Sequence, residues 1–211
     1  MQSLSKGEHV ERILLNEKEL DLHFVQQQDS VLRLFVLNLN PSDCTKADIY
    51  VEQQGTNCTT EIYSLSVLRG KQTCSLQTHI THSGCEGTSV QLIKFVLSDQ
   101  SRGEYLGEMK IMPDAQHIDA QQTNRNLLLS DTAEMRTRPQ LEIYADDVKA
   151  GHGASTGQLD DQALFYMQQR GIGRNEARRM LIAAFCKDIV MPVSDEQQRE
   201  QLMETIDRII Q

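Results

Sequence analysis

Cys74, His79, His82 and Cys85 place four thiol or imidazole groups within twelve residues, the densest such grouping in the chain. Thiolate and imidazole both suit zinc and iron, so the residue types fit a metal centre. Their spacing does not. Successive side chains on an extended strand alternate between faces, and His79 and His82, three apart, point opposite ways unless a bulge intervenes. The expectation is strand and turn with incidental His and Cys. A second grouping, Asp146, Asp147, Lys149, His152 and Ser155, lies among glycines where a β pattern gives way to a helical one. Gly153-Ala154-Ser155-Thr156-Gly157 matches the string of a nucleophile elbow. The elbow, however, needs an α/β strand-turn-helix, and its His follows the Ser, whereas His152 precedes it. Asp146 and Asp147 could act as acid and base on a carbohydrate, yet adjacent strand residues face opposite sides. A β-helix lyase or hydrolase is thus the alternative reading. No Gly-x-x-x-x-Gly-Lys-Ser/Thr loop is present, so any ATP falls to another subunit. Arg174, Arg178 and Arg179 read as a solvated basic face.

The elements that must position these groups come in two kinds. From about Glu19 to Ile143, short segments alternate with period two and are separated by polar turns: Leu20 to Val25, Val31 to Leu39, Asp48 to Glu52, Glu61 to Leu68, Cys74 to Ile80, Val90 to Leu97, Tyr105 to Ile111 and Leu141 to Tyr144. Turns recur every dozen residues or so, which fits a β-sandwich or a parallel β-helix. The absence of Asn-Gly and Asp-Gly hairpin dipeptides leans toward stacked coils. After Gly157 the period becomes helical. Asp160 caps a first helix that Gly171 stops. Asn175 caps a second, with Ala177, Leu181, Ala184, Phe185 and Ile189 as its apolar stripe, and Pro192 ends it. Ser194 with Gln197 has capping-box spacing for a third, burying Leu202, Met203, Ile206 and Ile210.

Composition bounds the function. The 211 residues carry a formal charge of -9, which disfavours nucleic acid and anionic membrane as partners. Residues Met1 to Glu8 lack the apolar core of a signal peptide, and Val31 to Leu39 is too short and too interrupted to span a bilayer. A soluble, cytoplasmic protein is expected. The five cysteines are odd in number and contain no Cys-x-x-Cys pair, so reduced and mostly buried thiols are expected.

The stretch from about Val90 to Phe185 resembles the SufB/SufD family, scaffold proteins of the Suf iron–sulfur cluster assembly system, and its SufD members most. The carriers are Ala115-Gln116-His117-Ile118-Asp119-Ala120, Asn124-Arg125-Asn126-Leu127-Leu128-Leu129-Ser130 and Pro139-Gln140-Leu141-Glu142-Ile143-Tyr144-Ala145-Asp146-Asp147-Val148-Lys149. They continue with His152-Gly153-Ala154, Gly157-Gln158-Leu159-Asp160, Leu164-Phe165-Tyr166 and Arg170-Gly171-Ile172. Family members are longer, so the chain corresponds to roughly their C-terminal half.

The resemblance implies a right-handed parallel β-helix core over residues 1–157 and a C-terminal helical domain over residues 158–211. It implies a non-catalytic subunit that pairs with SufB through the β-helix and docks the SufC ATPase through the helices, with Leu164, Phe165, Tyr166, Arg170, Leu181 and Phe185 on the docking side. A homodimer is expected when SufB is absent. His152 matches the family position that helps to hold iron or a nascent cluster at the SufB–SufD face, just after the pairing strands. No cofactor is expected to stay bound; a transient iron–sulfur cluster would be shared with SufB. Where the family carries Cys two residues before this His, the chain has Ala150, which removes the stronger ligand. Relatives also tend to carry His near His79, His82 and Cys85.

Overall fold

The computed structural model describes residues 1–210. The alternating segments form twelve strands in two six-stranded sheets. The first sheet holds, in spatial order, β1 (Gln2–Leu4), β3 (Glu19–Gln26), β5 (Cys44–Gln53), β7 (Thr73–His82), β9 (Arg102–Ile111) and β11 (Glu134–Ile143). The second holds β12 (Val148–Gly157), β10 (Ile118–Leu128), β8 (Thr88–Leu97), β6 (Thr59–Leu68), β4 (Val31–Asn38) and β2 (His9–Leu15). The pairings are parallel, and the chain passes from sheet to sheet at every strand, which makes a parallel β-solenoid of about five turns. Val31 pairs with Thr59, Thr59 with Thr88 and Thr88 with Asp119, so one coil consumes about thirty residues.

A repeated corner sets that period. Gly7, Asp29, Asn57, Glu86 and His117 all have φ between 57° and 70°, and each stands just before a strand of the second sheet. The amide of each donates to the carbonyl of the coil that follows: Gly7 to Gln28, Asp29 to Thr56, Asn57 to Cys85, Glu86 to Gln116 and His117 to Asp147. The left-handed conformation costs about 1–2 kcal/mol at a non-glycine residue. Stacking makes the geometry repeat, and the hydrogen bonds along the ladder offset that cost. Asn57 and Asp29 also pair through their side chains at 2.9 Å.

Between the sheets lies an apolar core that includes Leu34, Val36, Ile49, Ile62, Leu76, Ile93, Phe95 and Met109. Three helices follow, α1 (Asp161–Gln169), α2 (Arg174–Lys187) and α3 (Glu196–Ile209); α1 packs against α2, and a second core lies outside the second sheet under α2 and α3. There Phe35, Leu37, Leu65, Val67, Val96 and Leu127 meet Ile182, Cys186, Ile189, Val190, Leu202 and Ile206. The strands end at Gly157 and the helices begin at Asp161.

Asp160 caps α1 as expected, accepting from the amides of Gln162 and Ala163, and Gly171 follows its end with φ 86°. The other two caps differ from expectation. α2 starts one residue before Asn175, at Arg174, with extended Gly173 as its cap, because the turn after Gly171 already delivers the chain into the helix. α3 is capped by Asp195, not Ser194; the Ser194 hydroxyl and amide are taken by Glu11 of β2 at 2.7 and 3.1 Å. The buried stripe of α2 is also rotated: Ala177, Ile182 and Cys186 are deepest, Leu181 and Phe185 are half-buried and Ala184 is exposed.

Candidate functional site

The solenoid ends on β12. This strand pairs with β10 along one edge, and no strand among the described residues pairs with the other. The segment from Ala145 to Ser155 reads as a junction between strand and helix; in the structure residues 148–157 form a full strand, and Ser155 lies on it rather than on an elbow. From Ala150 to Gly157 the strand contains no Asp, Glu, Lys, Arg or Pro, and Gly153 to Gly157 are exposed. The neighbouring terminal strand, β11, is built differently. It contains Pro139 and exposes Glu134, Arg136 and Arg138, the devices by which sheet edges are kept from pairing. Beyond the exposed Lys149 near its start, the β12 edge lacks them and is a template for strand addition.

His152 sits at the middle of β12 in register with Gln122, so it belongs to the face that points between the sheets. It is exposed because the solenoid stops there. Along the coils its row reads Leu34, Ile62, Gln91, Gln122, His152, passing from apolar to polar toward the open end. Ala150, two residues earlier, shares this face in register with Ala120. A thiolate at position 150 would stand beside the imidazole; alanine offers no ligand. His152 thus supplies one donor, and among the described residues no group of three His, Cys, Asp or Glu side chains could hold a metal ion.

The first grouping of possible ligands diverges. His79 faces outward on the first sheet, bonded through Nδ1 to Glu108 at 2.8 Å and stacked on Tyr50 with centroids 4.6 Å apart. His82 faces the core, fully buried, with Nε2 2.9 Å from the Ser89 hydroxyl, and burial pushes its pKa down to about 4. Cys74 is buried against Asn38 and Ser66, and desolvation raises its thiol pKa. Cys85 turns to the corner, 3.1 Å from the carbonyl of Asp114. Asp146 and Asp147 are exposed corner residues, and Asp147 pairs with Nδ1 of His117 at 2.9 Å. Its backbone closes the corner ladder, which gives it a structural role. The thiols are free; Cys58, Cys74 and Cys186 are buried, Cys85 is partly so, and Cys44 is exposed.

On the helices, Leu164 is buried and holds α1 in place, which leaves it no free surface. Phe165 and Tyr166 beside it are 62% and 59% exposed, and the Arg170 guanidinium lies 5.2 Å over the Tyr166 ring. Leu181 and Phe185 line a cleft of about 340 Å³ with Arg125, Leu127, Ser155 and Gly157, where α2 meets the terminal strand. Beneath Phe185, the buried Lys94 reaches the Phe185 carbonyl at 2.8 Å and both oxygens of Asp188 at 2.6 and 2.5 Å. This polar latch fixes α2 on the sheet. Cys186 is core, its thiol pKa pushed up to about 12 by burial.

What residue reasoning missed is the role of the inner polar row and of the strand edge. The available signal was small residues at alternate positions, Gly151, Gly153 and Gly157, which low β-propensity disguises as a loop.

No helix among the described residues is long and apolar enough to cross a membrane. The family described as SUF system FeS cluster assembly, SufBD core domain, matches residues 18–185. The chain is 39% identical over 152 residues to the iron–sulfur cluster assembly protein SufD of Escherichia coli, covering 72% of this chain and 36% of that protein. It is 36% identical over 140 residues to SufD of Bacillus subtilis, covering 66% and 32%. A SufBD family protein of Mycobacterium leprae is 31% identical over 193 residues, covering 88% of this chain and 49% of its own length. The chain therefore spans between a third and a half of the length of these relatives. With this family matching most of its length, and with a two-sheeted solenoid followed by helices, the chain belongs to the SufBD family of the SUF iron–sulfur cluster assembly system.

Proposed function

We propose that this chain acts as a non-catalytic scaffold subunit, pairing with a SufB-type partner through the open end of its solenoid and docking the SufC ATPase through its helices. The observation that carries the reading is β12, whose last eight residues, Ala150 to Gly157, are an unguarded edge bearing an exposed imidazole at the middle of the strand. A strand added there would gain main-chain hydrogen bonds at once. An edge suited to a homologous chain can also meet a copy of itself, so a homodimer is expected without SufB. Iron or a nascent cluster would be cargo at that face. Imidazole suits iron, but with Ala150 in place of a thiolate His152 supplies a single bond, and the remaining ligands must come from the partner.

Ala154 shares the inner face with His152 and is exposed. Ala154→Lys places a charge on the edge and should abolish pairing with SufB in size-exclusion with light scattering, at unchanged circular dichroism. Pairing that survives would overturn the assignment of β12.

Exposed Phe165, beside Tyr166, supports the docking side of the reading. Phe165→Asp should weaken SufC binding about tenfold or more, since exposed aromatics act as anchors at interfaces. Calorimetry giving the wild-type affinity would take α1 out of the dock. Deleting the helices is a poorer test, because it would bare Phe35, Leu37 and Leu65 of the second core.

A further inference from the structure

We infer that the side-chain oxygen of Gln122 accepts a hydrogen bond from the ring of His152 and so fixes its tautomer. The bond is inferred from the packing around Gln122; its consequence for iron rests on the reading of His152 as a ligand.

Gln122 is 1% exposed and lies in register with His152, one strand spacing away on the same face. Its own bonds leave it one orientation. The Thr78 hydroxyl donates to Oε1 of Gln91 at 2.6 Å, and the Tyr105 hydroxyl donates to the same oxygen at 3.3 Å. Both protons are spent there, so the Tyr105 oxygen is free to accept, and Nε2 of Gln122 donates to it at 2.8 Å. The amide oxygen of Gln122 is then turned away, buried and without a partner. Gly107 holds the arrangement: a Cβ there would lie 1.9 Å from Nε2 of Gln122 and 2.3 Å from the Tyr105 oxygen.

A buried carbonyl oxygen without a donor is a cost the fold can relieve; Nε2 of Gln91, one coil back, is also without a partner and does not bond it, and on the inner face of β12 only one side chain near it can do so. Ala150 and Ala154, flanking His152, have no donor. His152 is exposed and free to turn one ring N–H onto Gln122, which leaves the other nitrogen with its lone pair toward the open end. Ligating histidines are held in this way by an acceptor behind them. Gln122 is therefore a positioning residue, and Tyr105, Gln91 and Thr78 set its direction.

The test is the ring nitrogen chemical shifts of His152 in the metal-free chain, by ¹⁵N NMR at about pH 8, above the ordinary histidine range. The wild type should show one tautomer. Gln122→Met, which keeps the length and removes the acceptor, should give a mixture; Gln122→Glu should restore the single form. Tyr105→Phe, which never touches His152, should loosen the amide and give an intermediate ratio. The same ratio in wild type and Gln122→Met, with both folded by circular dichroism, would overturn the inference. Cobalt(II) added to the same samples separates the two claims. Paramagnetic broadening of His152 should need about tenfold more cobalt in Gln122→Met, within the range seen on losing such a support. Cobalt binding that is the same in wild type and His152→Ala would remove His152 as a ligand while leaving the tautomer result standing.

Discussion

Two aromatic stacks run up opposite outer faces of this solenoid, and only one of them is covered. On the second sheet Phe35 stacks on Tyr63, with ring centroids 5.2 Å apart, beneath the helices. On the first sheet His23, Tyr50 and His79 stack at 4.4 and 4.6 Å in the open. Both stacks follow from register alone, because a parallel solenoid sets like positions of successive coils side by side. What differs is the surroundings. Phe35 is fully buried and belongs to an apolar patch that continues through Leu37, Leu65 and Val67, whereas Tyr50 has Lys46, Asp48 and Glu52 on its own strand face. The same strand geometry therefore yields either a foundation for helices or a solvated face, according to which residues fill the outward positions.

The largest consequence of that contrast lies at Phe35. Removing its ring leaves a cavity between sheet and helices, so Phe35→Ala should cost about 3–5 kcal/mol. Urea denaturation followed by circular dichroism measures it, and a loss under 1 kcal/mol would mean that the second core contributes little to holding the helices.

Inside the solenoid the comparison sharpens through pH. Gln26, Gln53 and His82 occupy equivalent inner positions on β3, β5 and β7. The side-chain nitrogens of Gln26 and Gln53 donate to the carbonyls of Thr59 and Thr88 at 3.0 and 2.9 Å. His82 breaks that ladder. Its folded pKa is depressed to about 4 from 6.5 by burial. Above pH 6.5 both states are neutral there and stability does not depend on this group. Between 6.5 and 4 the unfolded chain binds a proton that the folded chain refuses, so stability falls with pH by a total of about 3 kcal/mol. His82→Gln restores the repeat and should flatten that segment of the stability curve, measured by urea titrations at several pH values. An unchanged acid slope would assign it to other groups.

How far the sequence reveals these features depends on where apolar residues alternate. β4, β6 and β8 read as strands at once because Val, Leu and Ile fill alternate positions. β10 is hidden, since its inward residues include Gln122, Asn124 and Asn126; the two asparagines bond each other and the backbone, and Gln122 bonds the Tyr105 hydroxyl, instead of packing as hydrocarbon. β12 is hidden by its glycines, and with it the fact that His152 lies on a strand. The opposite facing of His79 and His82 follows directly from spacing. The corner ladder escapes because Asp, Asn, Glu and His share no type, only a conformation imposed by stacking. Helix caps depend on tertiary partners: Ser194 has the right spacing, but Glu11 claims it.

The smallest expected effect closes the comparison on the open face. Tyr50 is 37% exposed, and truncating it removes two ring contacts while His79 keeps its bond to Glu108. Cross-strand aromatic pairs on a solvated face are worth roughly 0.2–1 kcal/mol each, so losing both should cost Tyr50→Ala no more than about 2 kcal/mol, less than Phe35→Ala. The water that already reaches the ring limits what burial could have contributed, and no cavity forms where solvent can enter. A loss on the scale of Phe35 would mean that the first sheet is not solvated in solution. Repeating the measurement across protein concentrations would then decide the cause, because a covering by a second copy strengthens with concentration and an intrinsic contact does not.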